Sequence, residues 1–229
     1  MYKIFLTVLF SSYLLLSTAY AQVSGSVAVV SDYLYRGISL SNNKPVPQVN
    51  LVYDDPQGWY LGGFASKVKI NNQNNGEDQL LFYGGYSQRM ESGVVWELGA
   101  TNSLFPKVSN FNYAEIFAGI TIDNLNARIY WSPDYIGQSV KTAYIEVNGD
   151  RQIRTYLDIF FHIGLLRSLS AATTYTAINR PDARIGFGTN FAAWKLQLAW
   201  NITGKNSSRN SSYGNQAHTN FVINANYLF

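Results

Sequence analysis

The chain of 229 residues has no cysteine, which excludes a disulfide framework and any thiolate metal site. Charge is scarce too, with Asp, Glu, Lys and Arg at 14% of residues and a formal net of +3. That is well short of the basic footprint a nucleic-acid binder carries, so nucleic acid is not expected as a partner. There is no glycine-rich phosphate loop, no HExxH and no histidine pair at metal-ligand spacing, so no cofactor, metal or catalytic residue is assigned. Long apolar runs are also lacking, except at the start. There Lys3 precedes a stretch from Ile4 to Leu16, broken by Ser11 and Ser12, and Ala19-Tyr20-Ala21 leads to Gln22. The run falls short of the roughly 20 residues a membrane-spanning helix needs. Residues 1–21 therefore read as a cleaved secretory leader rather than an anchor, and 22–229 as one domain.

What is abundant is aromatic side chain: seventeen Tyr, thirteen Phe and five Trp, too many for a disordered chain. They fall into a period of two. Positions 221, 223, 225, 227 and 229 are Phe, Ile, Ala, Tyr and Phe, while 220, 224 and 226 are Asn. In WKLQLAWNIT, Trp194, Leu196, Leu198, Trp200 and Ile202 alternate with Lys195, Gln197, Ala199, Asn201 and Thr203. Trp96 and Leu98 alternate with Glu97, and Ile129 and Trp131 with Arg128 and Tyr130. One apolar and one polar face per strand is the pattern of a barrel with lipid outside and a polar interior.

Twelve such segments can be drawn: 23–31, 46–53, 59–70, 79–89, 94–104, 112–122, 125–132, 140–148, 153–164, 183–191, 194–203 and 219–229. Short connections (55–58, 90–93, 123–124, 148–151, 192–193) alternate with long polar ones, as periplasmic turns alternate with external loops. Residues 165–182 are the least regular, and Pro181 argues against a central strand there. A soluble β-sandwich would also alternate, but it would give no reason for Trp96, Trp131, Trp194 and Trp200 to share one face near strand ends. Tyr53, Trp59, Tyr60, Trp194, Tyr227 and Phe229 beside the short turns read as an interfacial girdle. The expected fold is an all-β transmembrane antiparallel up-and-down barrel of twelve strands, with ten as the alternative, monomeric and set in the bacterial outer membrane. Tyr227 and Phe229 read as the assembly signal for the barrel-assembly machinery.

The inward parity collects Glu97, Glu115, Arg128, Glu146, Arg154, Asp158, His162, Arg184 and Lys195, with Glu97, Arg128, Glu146 and Arg154 expected as one charged cluster near the short turns. Such a lumen suits a porin-like channel for passive diffusion of small hydrophilic solutes. A closed barrel with a structural or binding role is the alternative, its interior filled by Tyr83, Phe117, Tyr130, Tyr144 and Phe160. A membrane lipid hydrolase would need a serine two residues after a strand histidine, which neither His162 nor His218 has. His162 is then a packed interior imidazole and His218 a loop residue. Inward parity in the first strand runs Ser24, Ser26, Ala28 and, past Val30, to Asp32 and Arg36. These two are expected at the external mouth, paired with each other, with Gly37 making the turn.

Residues 23–66 resemble the start of the TorF-like porin family, a group first catalogued as bacterial proteins of unknown function. Ser31, Asp32, Tyr33, Arg36, Gly37, Ser39 and Ser41 carry the match. Weaker echoes are Tyr113-Ala114-Glu115, Ser132 to Gly137, and His162-Ile163-Gly164. The resemblance implies an outer-membrane location and a pore-like role; it is poorest over 165–182.

Overall fold

In a computed structural model, residues 22–69, 76–169, 178–206 and 217–229 are described. The leader and most of the loop at 205–216 lie outside them. Among the described residues the regular structure is strand, apart from two single-turn 3-10 helices. The barrel strands are β1 (Gln22–Val30), β4 (Val46–Asp54), β5 (Trp59–Val68), β6 (Glu77–Arg89), β7 (Val95–Leu104) and β8 (Tyr113–Ile122). They continue as β9 (Leu125–Ser132), β10 (Thr142–Arg154), β11 (Leu157–Ser168), β12 (Asn179–Phe191), β13 (Trp194–Thr203) and β14 (His218–Leu228). Two further strands, β2 (Leu34–Tyr35) and β3 (Ile38–Ser39), pair only with each other.

Each barrel strand pairs with its predecessor, and β1 closes on β14, giving a twelve-stranded antiparallel ring. At the seam Gly25 N–H donates to the Phe229 carbonyl at 2.9 Å, and Phe229 N–H to the Gly25 carbonyl at 3.0 Å. The terminal aromatic residue is thus part of the closure. Closure also explains how the fold holds without cysteine, because no strand edge is left unpaired.

The pleat sorts the side chains. Every barrel strand presents a large apolar residue outward, for example Leu51, Leu61, Phe82, Leu98, Ile120, Ile163 and Leu198, each exposed. In water such a belt would be an aggregation surface; in lipid it is the required exterior. At the short-turn rim Trp59, Tyr86 and Trp96 form a row with ring centroids 5.0 and 5.6 Å apart, and Trp194 packs edge-on to Tyr227 at 5.2 Å. Tyr60 does not join this girdle: it points inward and its hydroxyl donates to Glu97 Oε2 at 3.2 Å.

Three boundaries differ from the sequence expectation. The turn placed at 148–151 lies at 155–156, because β10 runs on to Arg154 and β11 begins at Leu157. The Asn-Gly of Asn148-Gly149 is a turn signal by composition, overridden by pairing on both edges of β10. β12 starts at Asn179 and contains Pro181. The Pro181 carbonyl accepts from Gly204 N–H at 2.8 Å, so its backbone faces the β13 side just beyond the last residue of that strand. The bond its missing N–H forgoes is the reciprocal one to the Gly204 carbonyl, at the end of the ladder. His218 opens β14 opposite Thr203 rather than sitting in a loop.

The absence of native cysteine makes this topology easy to test. Single-cysteine variants Lys44→Cys and Tyr156→Cys should behave oppositely with a membrane-impermeant maleimide: the first labels in intact cells, the second only after the outer membrane is permeabilised. Labelling of Tyr156→Cys in intact cells would place the 155–156 turn on the wrong side.

Candidate functional site

The segment after β1 does not leave the barrel. Strand geometry stops at Val30 and the chain folds back into the lumen as the β2–β3 hairpin, whose two-residue turn is Arg36-Gly37. Both have positive φ, 48° and 76°, as the tight hairpin turn with strand-matching twist requires. Gly37 is needed twice over, since a Cβ there would lie 2.8 Å from the Thr203 side chain and 2.9 Å from Asp182 Cβ.

Asp32 organises the base of the hairpin. Its carboxylate accepts from Ser39 Oγ at 2.5 Å, Ser41 Oγ at 2.9 Å and Asn220 Nδ2 at 2.7 Å. Ser41 Oγ also accepts from Tyr33 N–H, and the Tyr33 hydroxyl donates to Gln79. Burial raises the phenol pKa of both Tyr33 and Tyr35, against the pull of the Arg36 charge, so both stay neutral; the Tyr35 hydroxyl accepts from that of Tyr113 at 2.8 Å.

Arg36, at the tip, reaches across the lumen to β8. Its Nη1 and Nη2 donate to Glu115 Oε1 and Oε2 at 2.8 and 2.6 Å, a bidentate pair with both side chains buried. The guanidinium carbon lies 4.3 Å from the ring centre of Tyr144, 5.0 Å from Tyr35, 5.1 Å from Tyr130 and 5.6 Å from Tyr135. Four ring faces surround one cation. Above it, Tyr33, Tyr35 and Leu40 of the same segment pack on Val68, Phe105, Tyr113, Tyr135 and Leu166, forming an apolar cap inside the external end of the barrel.

Below the hairpin the lumen is open. A cavity of about 520 Å³ lies beneath Arg36, lined by Arg128, Glu146, His162 and Arg184 among others. A second, of about 410 Å³, extends to the short-turn rim at Asn124, Asp150 and Lys195. They share Leu34, Asn148, Arg184 and Asn201 as wall. Arg128 Nε and Nη2 donate to Glu97 at 2.6 and 3.1 Å. His162 Nε2 is 2.9 Å from Asp182 Oδ1 and 3.0 Å from the Tyr144 hydroxyl, and Nδ1 is 2.7 Å from Asn148 Oδ1. Gly164, next inward on β11, leaves the space that the Tyr144 hydroxyl occupies.

Of the residues expected inside, Glu115, Arg128, Glu146, His162 and Arg184 line the first cavity and Lys195 the second, while Glu97 is buried against Arg128 and Tyr60. Asp158 accepts from Asn190 near the rim. The expected four-residue cluster is not formed. Glu97 and Arg128 pair, and Glu146 faces Arg128 in register. Arg154 stands exposed at the end of β10, eight positions further on, because the turn is not at 148–151. Asp32 and Arg36 are buried in the lumen rather than placed at its mouth, and each finds other partners than the other. The five bulky candidates Tyr83, Phe117, Tyr130, Tyr144 and Phe160 do face inward, but they line the two cavities rather than fill them. Asp182 was missed because Pro181 was read as ending any strand; parity with Arg184 was the available signal.

Compared with solved structures, the chain resembles the KdgM porin, with a TM-score of 0.59 at 11% identity over 90% of this chain and 99% of that one. The NanC porin aligns with a TM-score of 0.55 at 9% identity over 90% and 99%. The COG4313 outer membrane channel from Pseudomonas putida F1 aligns at 0.51 with 12% identity over 91% and 94%. At these identities the likeness concerns the barrel fold. Among curated proteins no sequence match was found. The family model described as "Bacterial protein of unknown function (Gcw_chp)" matches residues 17–229.

Because Gly37 has no room for a Cβ and a positive φ, Gly37→Ala should unseat the hairpin without opening the barrel. Limited proteolysis should then cut within 31–45 at least severalfold faster, while the heat-dependent shift in gel mobility stays as in wild type. An unchanged cleavage rate would show that the hairpin is not held by its tip.

Proposed function

The chain belongs to the Gcw_chp family, and we propose that it is an outer-membrane channel for small hydrophilic solutes, held shut at its external side by the Arg36 hairpin. The observation that carries this reading is the pair of adjoining cavities lined by charged, amide and aromatic side chains, which run from the short-turn rim up to Arg36 and stop there. A barrel meant only as a scaffold has no need to keep that volume free, since voids forfeit packing. The plug is also small: its tip is held by one ion pair, the rings around Arg36 and a hydrogen bond from Thr203 Oγ1 to the Gly37 carbonyl, on a two-stranded hairpin with strands of two residues each.

Mixed charge along the wall favours polar solutes without a strong sign preference. Arg184 and Lys195 have no carboxylate, and Glu146 no cation, within ion-pair distance among the described residues. The resemblance of the first loop to TorF-like porins fits the same role, and the motif residues are those that build the plug. A non-enzymatic role fits the surroundings of His162. Its ring nitrogens are engaged by Asp182, Tyr144 and Asn148, and no serine is among its partners in the described residues, as a hydrolytic nucleophile would be.

The second reading, a closed barrel that binds a ligand in its lumen, is favoured by the apolar cap with Leu166, Tyr135 and Ile178 almost wholly buried. Planar-bilayer recording separates the two. Wild-type protein should conduct in brief openings, and Glu115→Gln, which keeps the side chain's size but removes the charge that holds Arg36, should raise the open fraction severalfold. No current from either protein at high salt would leave the closed barrel standing.

A further inference from the structure

The contacts of Arg36 outline a recognition site that belongs to the barrel wall. Glu115, Tyr130 and Tyr144 sit on three successive strands, β8, β9 and β10, and Tyr135 comes from the loop between the last two. Glu115, Tyr130 and Tyr144 hold their places in the ladder without the hairpin. Without Arg36, Glu115 would be a carboxylate at the cavity wall beside aromatic rings and without an ion-pair partner among the described residues, a costly arrangement to the extent that it is shielded from water. The wall itself therefore calls for a positive group. Its geometry is selective as well: two carboxylate oxygens take two parallel N–H donors, with ring faces at 4.3 to 5.6 Å from the central carbon. A planar guanidinium satisfies this, whereas an ammonium offers a point charge and a tetraalkylammonium offers no donor.

The occupant is displaceable. Arg36 holds a positive φ that a non-glycine residue adopts at a cost. Beside it the 520 Å³ cavity has room for the body of a solute. At its edge the Glu146 carboxylate, whose one hydrogen bond among the described residues is a 3.3 Å contact from the Tyr130 hydroxyl, can take a second positive group.

We propose that Glu115 with Tyr130, Tyr135 and Tyr144 is a receptor site for a small solute bearing a guanidinium group, and that Arg36 is its built-in occupant. Solute and hairpin compete for Glu115, and binding of the solute withdraws the hairpin. The gating consequence rests on the channel reading; the binding does not.

The test uses methylguanidinium, with urea and tetramethylammonium as controls, on refolded protein in micelles and in bilayers. With the tip removed in Arg36→Gly, calorimetry should show methylguanidinium binding with a dissociation constant on the order of 1 mM, a reasonable strength for so small a ligand. The double variant Arg36→Gly/Glu115→Gln should not bind it. Neither control should bind either protein. In bilayers the same probe should lower the current of Arg36→Gly by refilling the cage and raise that of wild type by displacing the hairpin. The wild-type arm needs no variant to fold. Binding of methylguanidinium by the double variant as strong as by Arg36→Gly, or equal binding of tetramethylammonium, would overturn the site. A wild-type current that methylguanidinium leaves unchanged at tens of millimolar, while Arg36→Gly binds it, would overturn the competition. Binding as expected with no current from any protein would sink the channel reading and leave the site intact.

Discussion

Hydrocarbon offers no partner to a backbone amide or carbonyl, so every one that crosses the membrane has to be paired within the chain. The closure of β1 on β14 meets that demand at the last open edge, and much of the remaining design follows from it. A closed antiparallel ring fixes the pleat, the pleat fixes which residues meet lipid, and those left over must share a narrow interior. Phe229 shows the economy of the arrangement: its side chain is exposed on the outside while its backbone joins Gly25 in the seam.

The interior then has to neutralise what the alternation delivers. Nearby strands do this where they can, as Glu97 on β7 does with Arg128 on β9, across the intervening β8. Glu115 has no such partner on its neighbours, and the cation comes from 79 residues earlier in the chain, carried in on the Arg36 hairpin. One buried carboxylate thus links the wall of the barrel to the folding of its first loop. The apolar cap above the hairpin uses the same loop a second time, through Tyr33, Tyr35 and Leu40. The external half of the barrel is consequently filled by chain, and the half nearer the short turns is left to solvent.

Most of the fold was legible because a period of two, repeated through the chain, has few meanings once disulfides and long apolar helices are excluded. Strand boundaries failed where local chemistry and ladder pairing disagree. Asn148-Gly149 looks like a turn and lies mid-strand; Pro181 looks like a break and sits at the end of the ladder, where its missing N–H forgoes one terminal bond. The inward direction of the charged residues was legible for the same reason as the strands, since parity carries it. Who pairs with whom was not, because that depends on the relative height of distant strands. A turn misplaced at 148–151 was enough to put Arg154 beside Glu146 on paper. The hairpin was the largest omission. Ser31, Asp32, Ser39 and Ser41 could be recognised as a recurrent run, yet nothing local says that their hydrogen bonds turn the chain inward rather than out to solvent.

The irregularity at the end of β10 has a consequence for how such a chain can change over generations. Ile153 is one residue too many between Gln152 and Arg154, and the strand absorbs it at the rim, where no side chain above is affected. The same single insertion at Val147 would turn Tyr144 and Glu146 towards the lipid and bring Ile145 inside, because a shift of one exchanges the two faces. Length in these strands is therefore heritable in steps of two through the middle and in steps of one only at the edges. The residues that line the lumen and those that meet the membrane are interleaved in sequence, yet they can be exchanged almost independently. Substitution can refit the lumen, while single insertions are confined to the turns and loops.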